Sequence, residues 1–143
     1  MGRRKKDDYS KSFRSIKDVQ DKGYTISKNL LTEINLNNFK KMLKFYRFLD
    51  FENVLLFLSD FPQVLEFLVD FYPIIREYFP EYELTLFYYE DYHHENYELW
   101  ISIMMNIREN LNVLRLEKLE EKFNTIANED VKPHVSITST PPL

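Results

Sequence analysis

The stretch from Tyr82 to Asn106 constrains the fold most, because its side chains alternate in the manner of two β-strands. The first strand alternates residues of one face with residues of the other, Leu84, Leu86 and Tyr88 against Thr85, Phe87 and Tyr89. The second strand does the same, with Leu99, Ile101, Ile103 and Met105 against Trp100, Ser102 and Met104. Strand side chains point to opposite faces with a period of two. The hairpin therefore has one largely aliphatic face and a second face with four large apolar side chains, Phe87, Tyr89, Trp100 and Met104.

The second face is unusual for a hairpin, because an antiparallel sheet commonly leaves one polar face to water. We expect another surface to cover it. Its four large side chains, Phe87, Tyr89, Trp100 and Met104, are therefore the interface candidates.

Helical spacing predicts three helices before the hairpin and one after it. The first begins at Asn37 or Asn38 and reaches Leu49, the second surrounds Val54–Leu58, and the third runs from Asp60 to Tyr78 with a break or kink at Pro73. The last helix follows Asn106, and its predicted buried face comprises Ile107, Leu111, Leu114, Leu119, Phe123 and Ile126. Residues 133–140 alternate again and predict a third strand, bounded by prolines.

This order predicts an α+β domain in which N-terminal helices are followed by β-β-α-β. If the third strand pairs beside the first, the sheet is small, wholly antiparallel and ordered 2-1-3, packed on the helices. The prolines at both ends of the third strand favour an edge position. The second strand would then be the other edge, which is an aggregation hazard unless it is paired or covered.

The chain divides into a basic beginning and an acidic remainder. Residues 1–22 carry eight Lys and Arg against four Asp, and the rest carries eleven Lys and Arg against nineteen Asp and Glu. No period is sustained before Leu30, which is typical of a solvated tail. We therefore expect a disordered or weakly ordered basic arm over residues 1–30, a single domain over 31–140 and a tail over 141–143. On this interpretation, deleting residues 1–25 leaves the melting temperature nearly unchanged.

Composition excludes several classes of site. The chain has no cysteine, which excludes disulfides, zinc–thiolate centres and a thiol nucleophile. No glycine follows Gly23, so no glycine-rich phosphate loop is present in the hairpin or beyond it. No apolar run approaches the ~18 residues of a membrane span, and the basic start lacks the apolar stretch of a secretory signal. We expect a cytoplasmic protein with no cofactor and no membrane contact.

The connection between the hairpin strands is the best candidate for chemistry. It brings carboxylates close in sequence to His93 and His94, and all of these groups are competent metal ligands. Adjacent residues of an extended chain point in opposite directions, so the two imidazoles are poorly placed to hold one ion. The remaining histidine, His134, is distant in sequence. We interpret the segment as a solvated loop and predict no metal site and no catalytic residue.

Aromatic residues are abundant, with 12 Phe and 10 Tyr. Many crowd the helical half between Phe45 and Phe79, which indicates either a large core or a hydrophobic interface for a partner or a second copy. A platform that stacks single-stranded bases is disfavoured, because the hairpin strands carry only acidic charges. We therefore do not expect nucleic acid as the partner.

The run from Ile75 to Phe123 carries the segment Arg76-Glu77-Tyr78-Phe79-Pro80, the strand residues Leu84, Leu86, Leu99, Ile101 and Ile103, and Leu116, Leu119 and Phe123 of the last helix. With these residues the run resembles a family of small prokaryotic α+β proteins of unknown function that is common in cyanobacteria. Family members often carry a Trp-Trp pair after that helix, where this chain has Asn124-Thr125. The resemblance implies no activity and no catalytic residues.

These observations together predict a non-catalytic protein–protein interaction module. Either it forms a homodimer through the sheet, or the helices between Asn37 and Asp60 lie across the second face. The alternative is a small enzyme or a nucleic-acid-binding protein that uses the acidic, histidine-containing hairpin tip or the basic N-terminal arm.

Overall fold

The fold is α+β, as the sequence predicted. The structure is a computed structural model that describes residues 10–91, 93, 96–106 and 110–141. Its helices are α1 (Ile16–Asp21), α2 (Glu33–Phe45), α3 (Phe51–Asp60), α4 (Gln63–Tyr78) and α5 (Asn110–Ile126). Its strands are β1 (Arg47–Leu49), β2 (Leu84–Glu90), β3 (Tyr97–Met104) and β4 (Val135–Thr140). Short 3₁₀ turns occupy Lys28–Leu31 and Lys132–His134.

The strands form one mixed sheet in the order β1-β2-β3-β4. β1 is parallel to β2, β2 and β3 form the predicted antiparallel hairpin, and β4 is parallel to β3. The predicted antiparallel order 2-1-3 is therefore wrong. The C-terminal strand β4 does lie at an edge, as its flanking prolines indicated, but it pairs with the second hairpin strand and not with the first. As a result β3 is a central strand.

The extra strand β1 lies where the sequence predicted the end of a helix. Tyr46 and Phe48 are buried while Arg47 and Leu49 are half-buried, which is the period of a strand. Asp50 then adopts a left-handed conformation with φ 52°, and this turns the chain from β1 into α3.

Helix α2 begins earlier than predicted. The Thr32 hydroxyl accepts a hydrogen bond from the backbone N–H of Asn35 at 3.4 Å, so Thr32 is the cap in place of Asn37 or Asn38. Helix α4 continues through Pro73 as a single element. Within the described part of the chain, no helix combines the length and hydrophobicity that crossing a bilayer requires.

The helices and one face of the sheet share a single hydrophobic core. We call this face of the sheet the core face, and its buried side chains are Phe48, Leu84, Leu86, Leu99, Ile101, Ile103 and Val135. The buried hydroxyl of Tyr46 donates to the carbonyl of Leu68 in α4 at 2.6 Å. Most phenylalanines of the helical half are buried in this core, which favours the large-core interpretation for them.

Residues 10–30 differ from the weakly ordered arm that the sequence predicted. α1 is capped by Ser15, whose side chain accepts a hydrogen bond from the backbone N–H of Asp18 at 3.1 Å. The side chains of Phe13 and Val19 are buried in the core, and the ring of Phe13 lies 4.3 Å from that of Phe51. Deleting residues 1–25 would remove both side chains, so we no longer expect an unchanged melting temperature. Residues 1–9 of the predicted arm lie outside the described residues.

Helix α5 matches its predicted buried face only in part. Phe123 is buried against the rings of Phe67 and Phe71 on α4, at 5.5 and 5.9 Å, and Leu119 is also buried. Leu111 and Leu114, by contrast, are 62 % and 55 % exposed. Ile126, also predicted on the buried face, is exposed. Ile107 lies outside the described residues, and Asn106, after which the helix was predicted to begin, immediately precedes that gap.

Candidate interaction surface

The second face of the sheet, which we call the open face, carries the four interface candidates. Strand alternation and register place twelve side chains on it: Arg47, Leu49, Thr85, Phe87, Tyr89, Glu98, Trp100, Ser102, Met104, Ser136, Thr138 and Thr140. Most are half-buried, as expected for side chains packed among their neighbours on one sheet face.

Three aromatic rings occupy the centre of the open face. Phe87 and Trp100 are direct cross-strand partners, and their ring centroids are 5.3 Å apart with the planes tilted by 56°. Tyr89 stacks on Trp100 at 4.4 Å and 19°. Cross-strand aromatic pairs of this kind stabilise a sheet. They also give the face a rigid apolar centre.

Polar groups around the rings bond to one another within the sheet. The Trp100 indole N–H donates to Glu98 at 3.3 Å, and the Ser136 hydroxyl donates to the same carboxylate oxygen. Ser102, only 1 % exposed, shares a hydrogen bond with Thr140. These polar atoms are already satisfied, so the centre of the face offers mainly rings and methyl groups to a partner.

Two charged side chains, Arg47 and Glu98, flank the aromatic centre on opposite sides. Arg47 pairs with Thr85, two residues before Phe87 on β2, and Glu98 pairs with Tyr89, two residues after it. Arg47 and Glu98 belong to β1 and β3, the two neighbours of β2. Phe87 therefore lies midway between a cation and an anion. Arg47 donates from Nε to the Ser10 hydroxyl at 2.7 Å, which orients its guanidinium.

Nothing in the described part of the chain packs over the aromatic centre. Phe87, Tyr89, Trp100 and Met104 belong neither to the core nor to the side chains packed against it. Helix α3 meets the sheet on its core face, where Phe57 lies 6.3 Å from Tyr88. The expectation that helices between Asn37 and Asp60 cover the second face is therefore wrong.

The structure brings the four predicted candidates onto one face, and three of them into contact. Met104 lies further along β3, opposite Thr140. Sequence reasoning missed Arg47 and Leu49, because Tyr46 and Leu49 fitted a helical period. The apolar–polar–apolar order of Tyr46, Arg47 and Phe48 is the local signal of β1 in the sequence, and it is too short to outweigh the helical period.

The hairpin tip, by contrast, is described only in part. His93 is exposed, whereas Tyr92, His94 and Glu95 lie outside the described residues. Among the residues that the structure does describe, no three His, Asp or Glu side chains come together as a metal-binding group. The prediction that the tip is neither catalytic nor metal-binding stays a prediction.

Comparison of the chain with models of protein families, with curated proteins and with solved structures gave no match in any of the three.

Proposed function

We propose that this protein is a non-catalytic protein–protein interaction module that forms a homodimer through the open face. The observation that supports this most is the contacting trio Phe87, Tyr89 and Trp100 at the centre of a sheet face over which no described element packs. Large aromatic side chains at the centre of a patch are the usual anchors of protein interfaces.

Charge complementarity supports a second copy of the chain as the occupant. In a two-fold dimer every contact is made twice, since the same patch faces itself. A two-fold axis that lies parallel to the sheet over Phe87, perpendicular to the line from Arg47 to Glu98, places Arg47 of one copy opposite Glu98 of the other, because Phe87 lies midway between them. The same axis stacks the two aromatic centres on each other, as the inner faces of two packed sheets do.

The size of the face indicates a dimer of modest affinity. Strands are about 4.8 Å apart with about 3.3 Å per residue, so the four-stranded face measures roughly 15 by 20 Å. Such a face offers about 300 Å² per copy, which is smaller than a standard specific interface and typical of weak, transient ones. We therefore expect a dissociation constant in the upper micromolar range.

A nucleic-acid surface, the alternative in a different class, is not favoured by this face. Arg47 is the basic residue among its twelve side chains, and Glu98 offsets it. Nucleic-acid binding draws most of its affinity from several cations placed along phosphates.

Charge reversal tests the proposal, read out as mass by light scattering over a concentration series. Arg47→Glu or Glu98→Arg alone places like charges opposite each other, and each should raise the dissociation constant about tenfold, or ~1.4 kcal/mol. The double variant should return to within about threefold of wild type. Leu111→Thr, at an exposed apolar position of α5, is the matched control and should dimerise as wild type does. A wild-type chain that remains monomeric at several hundred micromolar contradicts the proposal.

A further inference from the structure

A cavity of about 380 Å³ lies on the opposite side of the sheet from the open face. It opens where α3 meets the hairpin strands near the tip. The described side chains that line it are Asn53, Leu56, Phe57, Asp60, Phe61, Tyr88 and Tyr97. Its volume falls within the range of small-molecule sites.

Four aromatic rings from α3, its C-terminal end and the hairpin form the walls. Tyr88 and Tyr97 lie side by side on the core face, with ring centroids 6.1 Å apart and planes within 23°. Phe57 meets Tyr88 at a steep 63° and 6.3 Å, and it packs on Phe61 at 5.0 Å. The four rings therefore meet at different angles around one space. Aromatic faces carry negative partial charge.

The charged groups around these rings are acidic. Asp60 lines the cavity, and the Tyr88 hydroxyl donates to Glu90 at 3.1 Å. Burial, followed by the neighbouring Tyr97 and Asp50, raises the pKa of the Tyr88 phenol, so this ring keeps its proton at neutral pH. Among the described lining residues there is no Lys or Arg. His134 stacks on Phe61 at 4.0 Å without lining the cavity.

We propose that this cavity binds a methylated ammonium group, as carried by choline-like small molecules or by a trimethyllysine side chain. A methylated ammonium group spreads its charge over methyl groups and needs no hydrogen-bond acceptors, so aromatic faces with a nearby carboxylate recognise it. An unmethylated ammonium would exchange its water shell for walls made largely of rings and Leu56, with Asn53, Asp60 and the tyrosine hydroxyls as its acceptors. The exposed carboxylate of Asp60 favours a cation over a neutral ligand of the same shape.

Isosteric probes test this cavity directly in the full chain. Choline and its neutral isostere 3,3-dimethyl-1-butanol differ in one atom, a nitrogen cation against a carbon, and have the same shape. We expect choline to shift the backbone amide NMR signals of Phe57, Tyr88 and Tyr97 with saturation, and the isostere to bind at least tenfold more weakly. Equal binding of the two, or no choline binding up to 50 mM, overturns the proposal.

Substitutions show where choline binds and whether its affinity depends on the Tyr97 ring or on the Asp60 carboxylate. Tyr97 is 44 % exposed, so Tyr97→Leu can remove its ring without opening the core, and we expect choline affinity to fall at least fivefold. Tyr97→Phe keeps the ring and should retain affinity within about twofold. Asp60→Asn should weaken choline at least threefold without changing the isostere, whereas Asp70→Asn on the exposed side of α4 should change neither. Wild-type affinity in both Tyr97→Leu and Asp60→Asn places the binding elsewhere and overturns the proposal.

A last titration distinguishes the two sources of the cation. A short peptide carrying trimethyllysine is compared with its unmethylated form and with choline. Peptide binding at least tenfold tighter than choline assigns the cavity to a protein side chain, and equal or weaker binding assigns it to small molecules. If the unmethylated peptide binds as well as the methylated one, recognition of the methylated cation is contradicted.

Discussion

The two faces of the sheet are built by the same four strands, yet they have different surroundings. On the core face, Leu86 and Ile101 are cross-strand partners and are fully buried beneath the helices. One residue further along, Phe87 and Trp100 are partners on the open face and remain half-exposed. Seven of the twelve open-face side chains are Arg, Glu, Ser or Thr, but the apolar character of these two central pairs does not distinguish the faces. The position of the helix layer does, and it leaves the open face available to a partner.

The largest expected effect on the free energy of unfolding comes from the N-terminal segment, whose Phe13 packs against the core face of the sheet. Phe13 is buried, and its ring lies 6.0 Å from Phe48 of β1. Phe13→Ala should lower the free energy of unfolding by about 3–5 kcal/mol, because it removes a buried ring and leaves a cavity. Urea denaturation measures this loss. The control Lys17→Ala removes an exposed ion pair with Asp21 and should cost less than about 0.5 kcal/mol. If Phe13→Ala lowered the free energy of unfolding as little as Lys17→Ala does, residues 10–25 would not be part of the core.

A neighbouring pair of substitutions compares the two faces directly. Leu86→Ala, on the core face, should cost about 3 kcal/mol. Phe87→Ala, one residue away on the open face, should cost about 1 kcal/mol in the monomer, because its half-exposed ring loses less burial. Both are measured by urea denaturation at protein concentrations well below the dimer dissociation constant. Equal losses would show that the open face is covered within a single chain.

The smallest expected effect is a loss of stability at high pH that arises from two tyrosines, Tyr46 and Tyr88, on the side of the sheet that faces the core. Burial raises the pKa of Tyr46 well above its usual value of 10.0, and burial also raises that of Tyr88. An acid whose folded pKa is raised contributes stability that is present below the unfolded pKa and is lost as pH rises above it. The free energy of unfolding should therefore fall above about pH 10.

Two tyrosine variants identify the source of that loss. Tyr46→Phe should flatten the alkaline loss most, since Tyr46 is fully buried, and Tyr88→Phe should flatten it less. Tyr46→Phe should also cost about 1 kcal/mol at neutral pH, because the Leu68 carbonyl loses its donor. An unchanged alkaline profile in both variants would contradict a titrating tyrosine on the core side.

Sequence alone predicted the fold class, the hairpin and the composition of its two faces, because a period of two is a strong local signal over seven or eight residues. It did not predict β1, whose three residues are too few to establish that period. Because β1 occupies the position beside β2, β4 pairs with β3 and makes it a central strand. Without β1, that position beside β2 was assigned to β4, and the predicted sheet order was wrong. The N-terminal core residues were missed for a related reason. Phe13 and Val19 are isolated apolar side chains in the sequence. Phe13 is buried by tertiary contacts with Phe48 and Phe51, and no local pattern carries that information.

The sequence predicted the aromatic side chains of the open face but not the arrangement of its charged side chains. Phe87, Tyr89, Trp100 and Met104 follow from alternation within the hairpin. Arg47 required knowledge that β1 lies beside β2. The self-complementary arrangement on which the dimer proposal rests is thus visible only in the folded sheet.

Fluorescence quenching of the single tryptophan shows whether the open faces of two copies pack against each other. Trp100 is the chain's one Trp and lies at the centre of the open face, so acrylamide quenching of its fluorescence reports on that face alone. We expect the quenching constant to fall several-fold as protein concentration rises through the micromolar range, in step with a doubling of the mass by light scattering. A monomeric mass together with an unchanged quenching constant at every concentration would contradict it.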